Sequence, residues 1–369
     1  MSPLPEYLPQ LTLTKDQWKR MLSPLSEDAP TGEYLVYEGT YDKIREARRH
    51  DDPSLPQGDW KIALKKANWD EVLDLCVDTL NTRSKDIQIV AWVTEALLRL
   101  HGYVGLKAGL QLLIYFCENY WEKLYPPIEE EGDKELRLSP MVWLNEKLSL
   151  QLGDVPITAP TTNDAPPYTF IDRENAWALE NRPIKEKKAA EAEGKVTRAK
   201  FLTSSTLTSR AFCVDLAKDL HENIDLIDQL NELLNEYCGK EAPSFGKFRD
   251  ILVNIHRVVD LMVKEKPAYD NEEEETDDID ETTQTAILKK IAKTDMAPPI
   301  CSRSEAYRRL AEAADYLLRT EPHSPTPYLV KRAIGWGNMS LTELLMELVN
   351  SENDLAGIYN LLGIKFDKD

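Results

Sequence analysis

Histidine and cysteine are both rare in this chain, five of each in 369 residues. Neither recurs at the spacing of a metal site: there is no C-x-x-C, no H-E-x-x-H, and no second His or Cys one turn from His50, His221 or His256, so a zinc centre has no footing. The cysteines (Cys76, Cys117, Cys213, Cys238, Cys301) are odd in number, far apart and mostly set among apolar residues. That is the pattern of reduced core thiols in a reducing cytosol. Glycine is thin as well, at 15, and none of the G-x-x-x-x-G-K-[ST], G-x-G-x-x-G or G-x-S-x-G patterns occurs, which removes nucleotide cradles and hydrolase elbows from consideration. No stretch of about 18 uncharged apolar residues is found, and the opening MSPLPEYLPQ has no basic and apolar signal regions, so neither a membrane span nor a cleaved leader is expected. Basic charge is short too: 45 Lys and Arg against 64 Asp and Glu give −19, the wrong sign for tracking phosphates, so nucleic acid and anionic membranes are set aside as partners. The expectation is no catalytic residue, no cofactor and no metal.

What is abundant is apolar periodicity. With 42% hydrophobic residues the chain can build two or three cores, and almost every long segment repeats near 3.6 residues. Asn68 reads as the N-cap of a helix carrying Trp69, Val72, Leu73, Cys76, Val77 and Leu80 on one stripe. A second helix runs from Asp86 to about Leu100. A third runs from Tyr103 to about Leu124, ended by Pro126-Pro127. Ser139-Pro140 reads as N-cap and first turn of a fourth, through Met141, Leu144 and Leu148. Short loops between them predict an antiparallel bundle. Further on, Phe212, Leu216, Leu220, Ile224, Ile227, Leu230, Leu234 and Tyr237 recur at steps of three and four up to a terminating Gly239. A partner helix follows from Ser244 to about Lys264. In the tail, Ser302 with Glu305 and Ser340 with Glu343 are spaced as capping boxes, Ser324 with Pro325 or Pro327 starts a helix through Trp336, and a last helix spans Asp354 to Leu362. The expected fold class is all-α, as three helical modules joined by flexible linkers.

Two stretches break the periodicity. GDVPITAPTTNDAPP, 153–167, is rich in Pro and Thr and reads as a linker or extended strap. DNEEEETDDIDE, 270–281, holds nine acidic residues and reads as a solvated tether, since self-repulsion opposes its burial and it lacks the Gly and alternating Asp of a calcium loop. The resulting division is an amino-terminal helical domain at 1–152, a linker or strap at 153–182, a middle helical domain at 183–269, an acidic linker at 270–296 and a carboxy-terminal helical domain at 297–369. The charge is uneven: nine of the excess negatives sit in 270–281, whereas 297–369 carries 8 basic and 10 acidic groups, only −2.

The segment EPHSPTPYLV sets Glu321, His323 and Ser324 close together, which raises a remote enzyme reading, an acid, base and nucleophile near His323. Its three prolines instead describe a corner between helices. His101, before Gly102, reads as a helix-end residue. Trp69, Trp92 and Trp143 fall on apolar stripes and read as core, Trp121 as a staple at a helix end, and Trp336, between two glycines, as a candidate subunit contact.

Finally, PLSEDAPTGEYLVYEGTYDKIREARR and ANWDEVLDLCVDTLNTRSKDIQIVAWVTEALLRLHGYVGLKAGLQLLIYFCENYWEKLYPP resemble the ImpA amino-terminal domain of TssA proteins of the bacterial type VI secretion system. The resemblance rests on Pro24, Pro30-Thr31-Gly32, Trp69-x-x-Val72, Ser84-Lys85-Asp86, Gly102, Gly105-Leu106 and Asn119-Tyr120-Trp121, over about residues 23–128. The middle region, with Ala242-Pro243-Ser244, and the tail from Ser302 are similar to the later domains of one TssA branch. The resemblance implies a non-enzymatic scaffold, forming a ring homo-oligomer through its carboxy-terminal domain, that engages the baseplate and primes or coordinates tube and sheath polymerisation. A sheath-terminating or clamp role in the same system is the alternative. The implied partners are other copies of the chain and the baseplate, sheath and tube proteins, with no membrane insertion. The implied location is the cytoplasm, at the apparatus on the inner face of the inner membrane or at the distal end of the sheath. Candidate oligomer contacts in the tail motif are Tyr307, Arg308, Glu321, Pro322, His323, Ser324, Pro325, Tyr328, Arg332 and Trp336.

Overall fold

The computed structural model describes residues 5, 7–51, 64–128, 134–266, 300, 303–339 and 341–348. Expectations for the acidic run 270–281, for Ser302, Ser340 and Cys301, and for a helix at 354–362 lie outside the described residues. Within them the protein is all-α, with only isolated β-bridges between extended segments, and it divides into two compact units. Grouping follows contacts in space rather than chain order: the first unit holds residues 1–157, 169–171 and 214–260, and the second 158–168, 172–213 and 261–369.

The first unit opens with α1 (Lys15–Leu22), whose N-cap Thr14 and Gln17 make a reciprocal capping box, and α2 (Thr40–Arg48). Both pack on α3 (Trp69–Thr82). As expected, Asn68 caps α3, its side chain accepting from the Glu71 amide. Next comes α4 (Ile87–Tyr120), capped by Asp86 and broken at Gly102, where φ is 60° and ψ −141°. Only glycine adopts such a left-handed φ without strain. The chain reverses there, so the two arms form a helical hairpin matching the separate second and third helices read from the sequence. They press together because Gly105 and Gly109 lack side chains: a Cβ on Gly105 would lie 2.0 Å from the Leu97 carbonyl oxygen, and one on Gly109 would lie 2.7 Å from Thr94. Most of the hairpin is buried, from Ile87 and Val90 to Phe116 and Cys117.

α5 (Glu135–Trp143) packs on α4 and continues through a π-helical turn, Leu144–Leu148, into the short α6 (Ser149–Leu152). The expected start at Ser139-Pro140 is corrected here: the helix begins a turn earlier and Pro140 lies inside it. A proline in the second turn of a helix forfeits only one early hydrogen bond, whereas the earlier start carries Arg137 into the interior, where it is 1% exposed.

In the second unit, α7 (Phe170–Glu180) occupies part of the stretch read as linker, followed by α8 (Ile184–Ala192) and α9 (Arg198–Leu207). The strap at 158–168 is extended but tied down. The Thr161 amide donates to the Leu207 carbonyl (3.0 Å), the Ala159 amide to Thr208 Oγ1 (2.9 Å), and Ser204 Oγ to the Pro166 carbonyl (2.8 Å). α10 (Arg210–Cys238), ended by Gly239 with φ 55°, and α11 (Gly246–Lys264) follow in the chain, and their residues 214–260 belong to the first unit. They match the two long amphipathic runs in the sequence. The tail contributes α12 (Arg303–Thr320), α13 (Thr326–Gly337) and α14 (Leu341–Leu348). α12 packs on α13 and both pack on α9, around Leu207, Ala311 and Ile334.

Candidate functional site

The sequence motifs of the amino-terminal region converge on one crossing of loops in the first unit. Gly32, at φ 72°, pairs with Ser84, and a Cβ there would strike the Arg83 carbonyl at 2.0 Å. The Lys85 amide donates to the Thr31 carbonyl (2.8 Å), the Tyr125 amide to the Lys85 carbonyl (3.1 Å), and the Ile87 amide to the Tyr125 carbonyl (2.9 Å). Three remote segments are thereby laced through backbone hydrogen bonds beside the cis Tyr125–Pro126 peptide.

Three charged side chains are buried at this crossing. Lys85 is fully buried, and its ammonium donates to the carbonyls of Arg20 (3.3 Å), Met21 (2.8 Å) and Leu80 (2.8 Å). These carbonyls lie at the carboxy-terminal ends of α1 and α3, where acceptors are orphaned and the helix dipole favours a cation. Burial pushes its pKa down to about 7. Asp86 is also fully buried. It accepts from Tyr41 Oη (2.6 Å) and the Gln88 amide (2.8 Å), and burial pushes its pKa up to about 6 against these hydrogen bonds. Arg137 donates from Nε to the Pro126 carbonyl (2.9 Å) and from its other nitrogens to the carbonyls of Trp121 and Leu124. The Leu22 carbonyl accepts from Tyr120 Oη (2.8 Å) and Tyr115 Oη (3.2 Å). These groups make an interlock, with every cation satisfied by main-chain oxygen.

The tail candidates separate into three places. Arg332 and Trp336 meet at Glu347: both donate to its Oε1 at 3.0 Å, the guanidinium lies 5.3 Å from the indole ring, and the Trp336 hydrogen bond holds the carboxyl below its usual range. Tyr307 and Arg308 lie on α12. Tyr307 packs against the Leu207–Ala311–Ile334 cluster and approaches Gly337 so closely that a Cβ there would sit 2.3 Å from its ring. Arg308 pairs with Glu305 (2.8 Å) and Glu312 (2.5 Å). The corner holds Glu321, Pro322, His323 and Pro325, all exposed, and Ser324, whose Oγ accepts from the Thr326 amide (3.3 Å). Tyr328 Oη donates to the Pro322 carbonyl at 3.3 Å. Among the described residues the Ser324 amide donates to the Glu321 carbonyl (3.0 Å) in a backbone turn, no side-chain hydrogen bond links Glu321, His323 and Ser324 to one another, and their surroundings are those of the corner expected from the prolines. Beside these candidates lie Leu329, 62% exposed, Tyr316, 61%, and Leu310, 44%, none of which the sequence reading took as a contact candidate. The α12 stripe reads as core for Leu310, and only the packing on α9 shows which face is left over.

Cys76, Cys117, Cys213 and Cys238 are buried and unpaired, and burial raises the Cys117 thiol to about 12. Their thiolates are disfavoured. His221 and His256, remote in sequence, stand with ring centroids 5.9 Å apart, each beside a carboxylate one turn on, Asp225 and Asp260. Among the described residues no group of three or more His, Cys, Asp or Glu is arranged to hold a metal, and no helix is long and apolar enough to cross a membrane.

The first unit thus defines an all-α domain whose motif residues lock loops together and cap helices. Residues 22–146 match the family described as ImpA, N-terminal, type VI secretion system. The type VI secretion system component TssA1 of Pseudomonas aeruginosa is 23% identical over 344 residues, spanning 89% of this chain and 94% of that protein. The solved amino-terminal domain, including the ImpA_N region, of the TssA component from Burkholderia cenocepacia superposes with a TM-score of 0.60 at 29% identity, over 70% of this chain and 98% of that one. Together these likenesses support a TssA-family protein of the type VI secretion system.

Proposed function

We propose that this chain is a non-enzymatic assembly scaffold of the type VI secretion system. It forms a ring of identical copies through its carboxy-terminal residues, 297–369, and engages baseplate, sheath and tube proteins at the cytoplasmic face of the apparatus to prime or coordinate their polymerisation. Supporting this reading is the exposed apolar surface of the tail: Leu310, Tyr316, Tyr328, Leu329 and Leu348, 44% to 62% exposed, lie on α12, α13 and α14. Large apolar side chains left exposed on three consecutive helices are what a second copy would cover. The near-neutral charge of 297–369 lets copies approach without strong repulsion. Repeated amino-terminal units on such a ring would bind a repetitive partner by avidity rather than by strong single contacts.

The test is light scattering and electron microscopy of the full chain beside a chain truncated before residue 282. A large closed particle that collapses on truncation is the expected result. A full chain that stays monomeric at micromolar concentration sinks the ring. The isolated tail is a poor substitute, because α12 and α13 pack on α9.

A further inference from the structure

The second unit contains a cavity of about 280 Å³ where the amino-terminal end of α10 meets the end of α11 and the first turn of α12. Its chemistry is cationic and incompletely satisfied. Arg210, the first residue of α10, lines it, and its Nε is buried with no hydrogen-bond partner. Leaving such a donor unpaired costs free energy, on the order of 1–3 kcal/mol and more when it is charged. Among the described residues Arg210 makes no side-chain hydrogen bond or ion pair.

Lys266 stands on the other wall, only 8% exposed. Its ammonium donates to the carbonyls of Ser205 (2.7 Å) and Thr206 (3.4 Å), which leaves one of three N–H groups uncommitted. Burial holds its pKa below the usual lysine value, against the pull of Cys213 and Glu265 and with a smaller push from the Arg308 charge. Arg308 also lines the cavity, but its charge is spent on Glu305 and Glu312. Glu305, the carboxylate in the wall, is in turn held by Arg308 and by Arg309 at 2.5 Å. Two cations, Arg210 and Lys266, therefore remain without a carboxylate.

The remaining donors point to the same ligand charge. α10 is 29 residues long, and the amides of its first residues have no acceptor within the helix. Ser209 Oγ takes the Phe212 amide (3.2 Å) and its carbonyl takes the Cys213 amide, so the Arg210 and Ala211 amides and the Ser209 hydroxyl proton are left. A helix start, two uncompensated cations and a hydroxyl around one small cavity suit an oxyanion of charge near −2. The volume admits a phosphate and a small substituent, not a nucleotide, and the depth of Lys266 and Arg210 Nε favours a free anion over a headgroup fixed in a surface.

We propose that this cavity binds a small free phosphate, as inorganic phosphate or a small phosphate monoester, through Arg210, Lys266 and the amino-terminal end of α10. The test is titration of the full chain with inorganic phosphate, followed by calorimetry and by thermal melting, with chloride holding ionic strength constant. The expected result is saturable binding and a melting midpoint that rises with phosphate. In Arg210→Gln binding should weaken at least about tenfold, the loss of one charge-assisted contact, while Arg257→Gln, an exposed arginine outside the cavity, should leave it unchanged. Because the Arg210 side chain makes no hydrogen bond or ion pair among the described residues, Arg210→Gln should melt in phosphate-free buffer no lower than the wild type. Absence of saturable binding up to about 10 mM phosphate, equal binding by Arg210→Gln, or a variant destabilised without phosphate overturns the proposal.

Discussion

Single residues carry the interlock of the first unit, and the charges there behave unlike surface charges. Lys85 neutralises no carboxylate; it caps two helices at once through main-chain oxygens. Lys85→Met should keep the apolar stem packed but strand those buried carbonyls, costing about 3 kcal/mol in chemical denaturation with the denaturant slope unchanged. Asp86 gives a pH signature. Its folded pKa, about 6, exceeds the ordinary aspartate value of 3.8, so the native state binds the extra proton between those values. Its contribution is greatest below about pH 4 and is lost as pH rises through 6. The stability difference between wild type and Asp86→Asn, which keeps the cap, should therefore shrink from pH 4 to pH 7 by on the order of 3 kcal/mol; a difference flat across that range would refute the assignment. Ser84-Lys85-Asp86 stood out in the sequence as a family motif, and Asp86 as the start of a helix. The burial of Lys85 was not legible, because a lysine is exposed by default, and its acceptors come from residues 5 and about 65 positions away.

At the scale of elements, periodicity and caps located most helices, since an amphipathic stripe is a local property. Asn68, Asp86 and Gly239 act where the sequence places them. Boundaries set by distant contacts were less legible. α5 starts before Ser139 because Arg137 reaches the carbonyls of residues 121–126, and α7 was hidden because its stripe is short, with Ala176 as its buried residue. The reversal at Gly102 was legible as a break, but the intimacy of the two arms was not, since it depends on which residues face each other afterwards. That intimacy is testable. Gly105→Ala must push a methyl into the Leu97 carbonyl and should lower stability by about 3 kcal/mol or prevent folding. Gly194→Ala, where φ is 81° but nothing lies within 4 Å, should cost only about 1 kcal/mol. Equal losses in urea melts of the two variants would mean that the arms part to admit the methyl.

At the scale of the whole molecule, the sequence pointed to the tail as the place of assembly, and the structure redistributes the candidates within it. Trp336, the aromatic favoured for a subunit contact, is half-buried against Glu347 and Arg332 of its own chain, so its indole is already partnered. Tyr307 is bound into the Leu207–Ala311–Ile334 cluster. What stays open is the surface of Tyr328 with Leu329, the latter within the tail motif but not among the candidates taken from it. An interface centred there would be mainly apolar, because nearby Arg308 and Lys331 are engaged by carboxylates of the same unit, Lys331 by Asp164 (2.7 Å) and Asp315 (2.5 Å). Assembly should then resist salt rather than dissolve in it. Leu329→Glu places a charge on that surface without touching the buried cluster. Its melting temperature should stay within a degree or two of wild type at a dilution where both are monomeric, and its association should weaken at least about a hundredfold, the cost of desolvating an unpaired carboxylate. Tyr328→Ser should weaken association less, and Trp336→Phe, which loses only the internal bond to Glu347, should reduce stability more than assembly. If Trp336→Phe disperses the particles while Leu329→Glu leaves them whole, the contact lies on the α13–α14 side instead, and the exposed apolar residues serve some other surface.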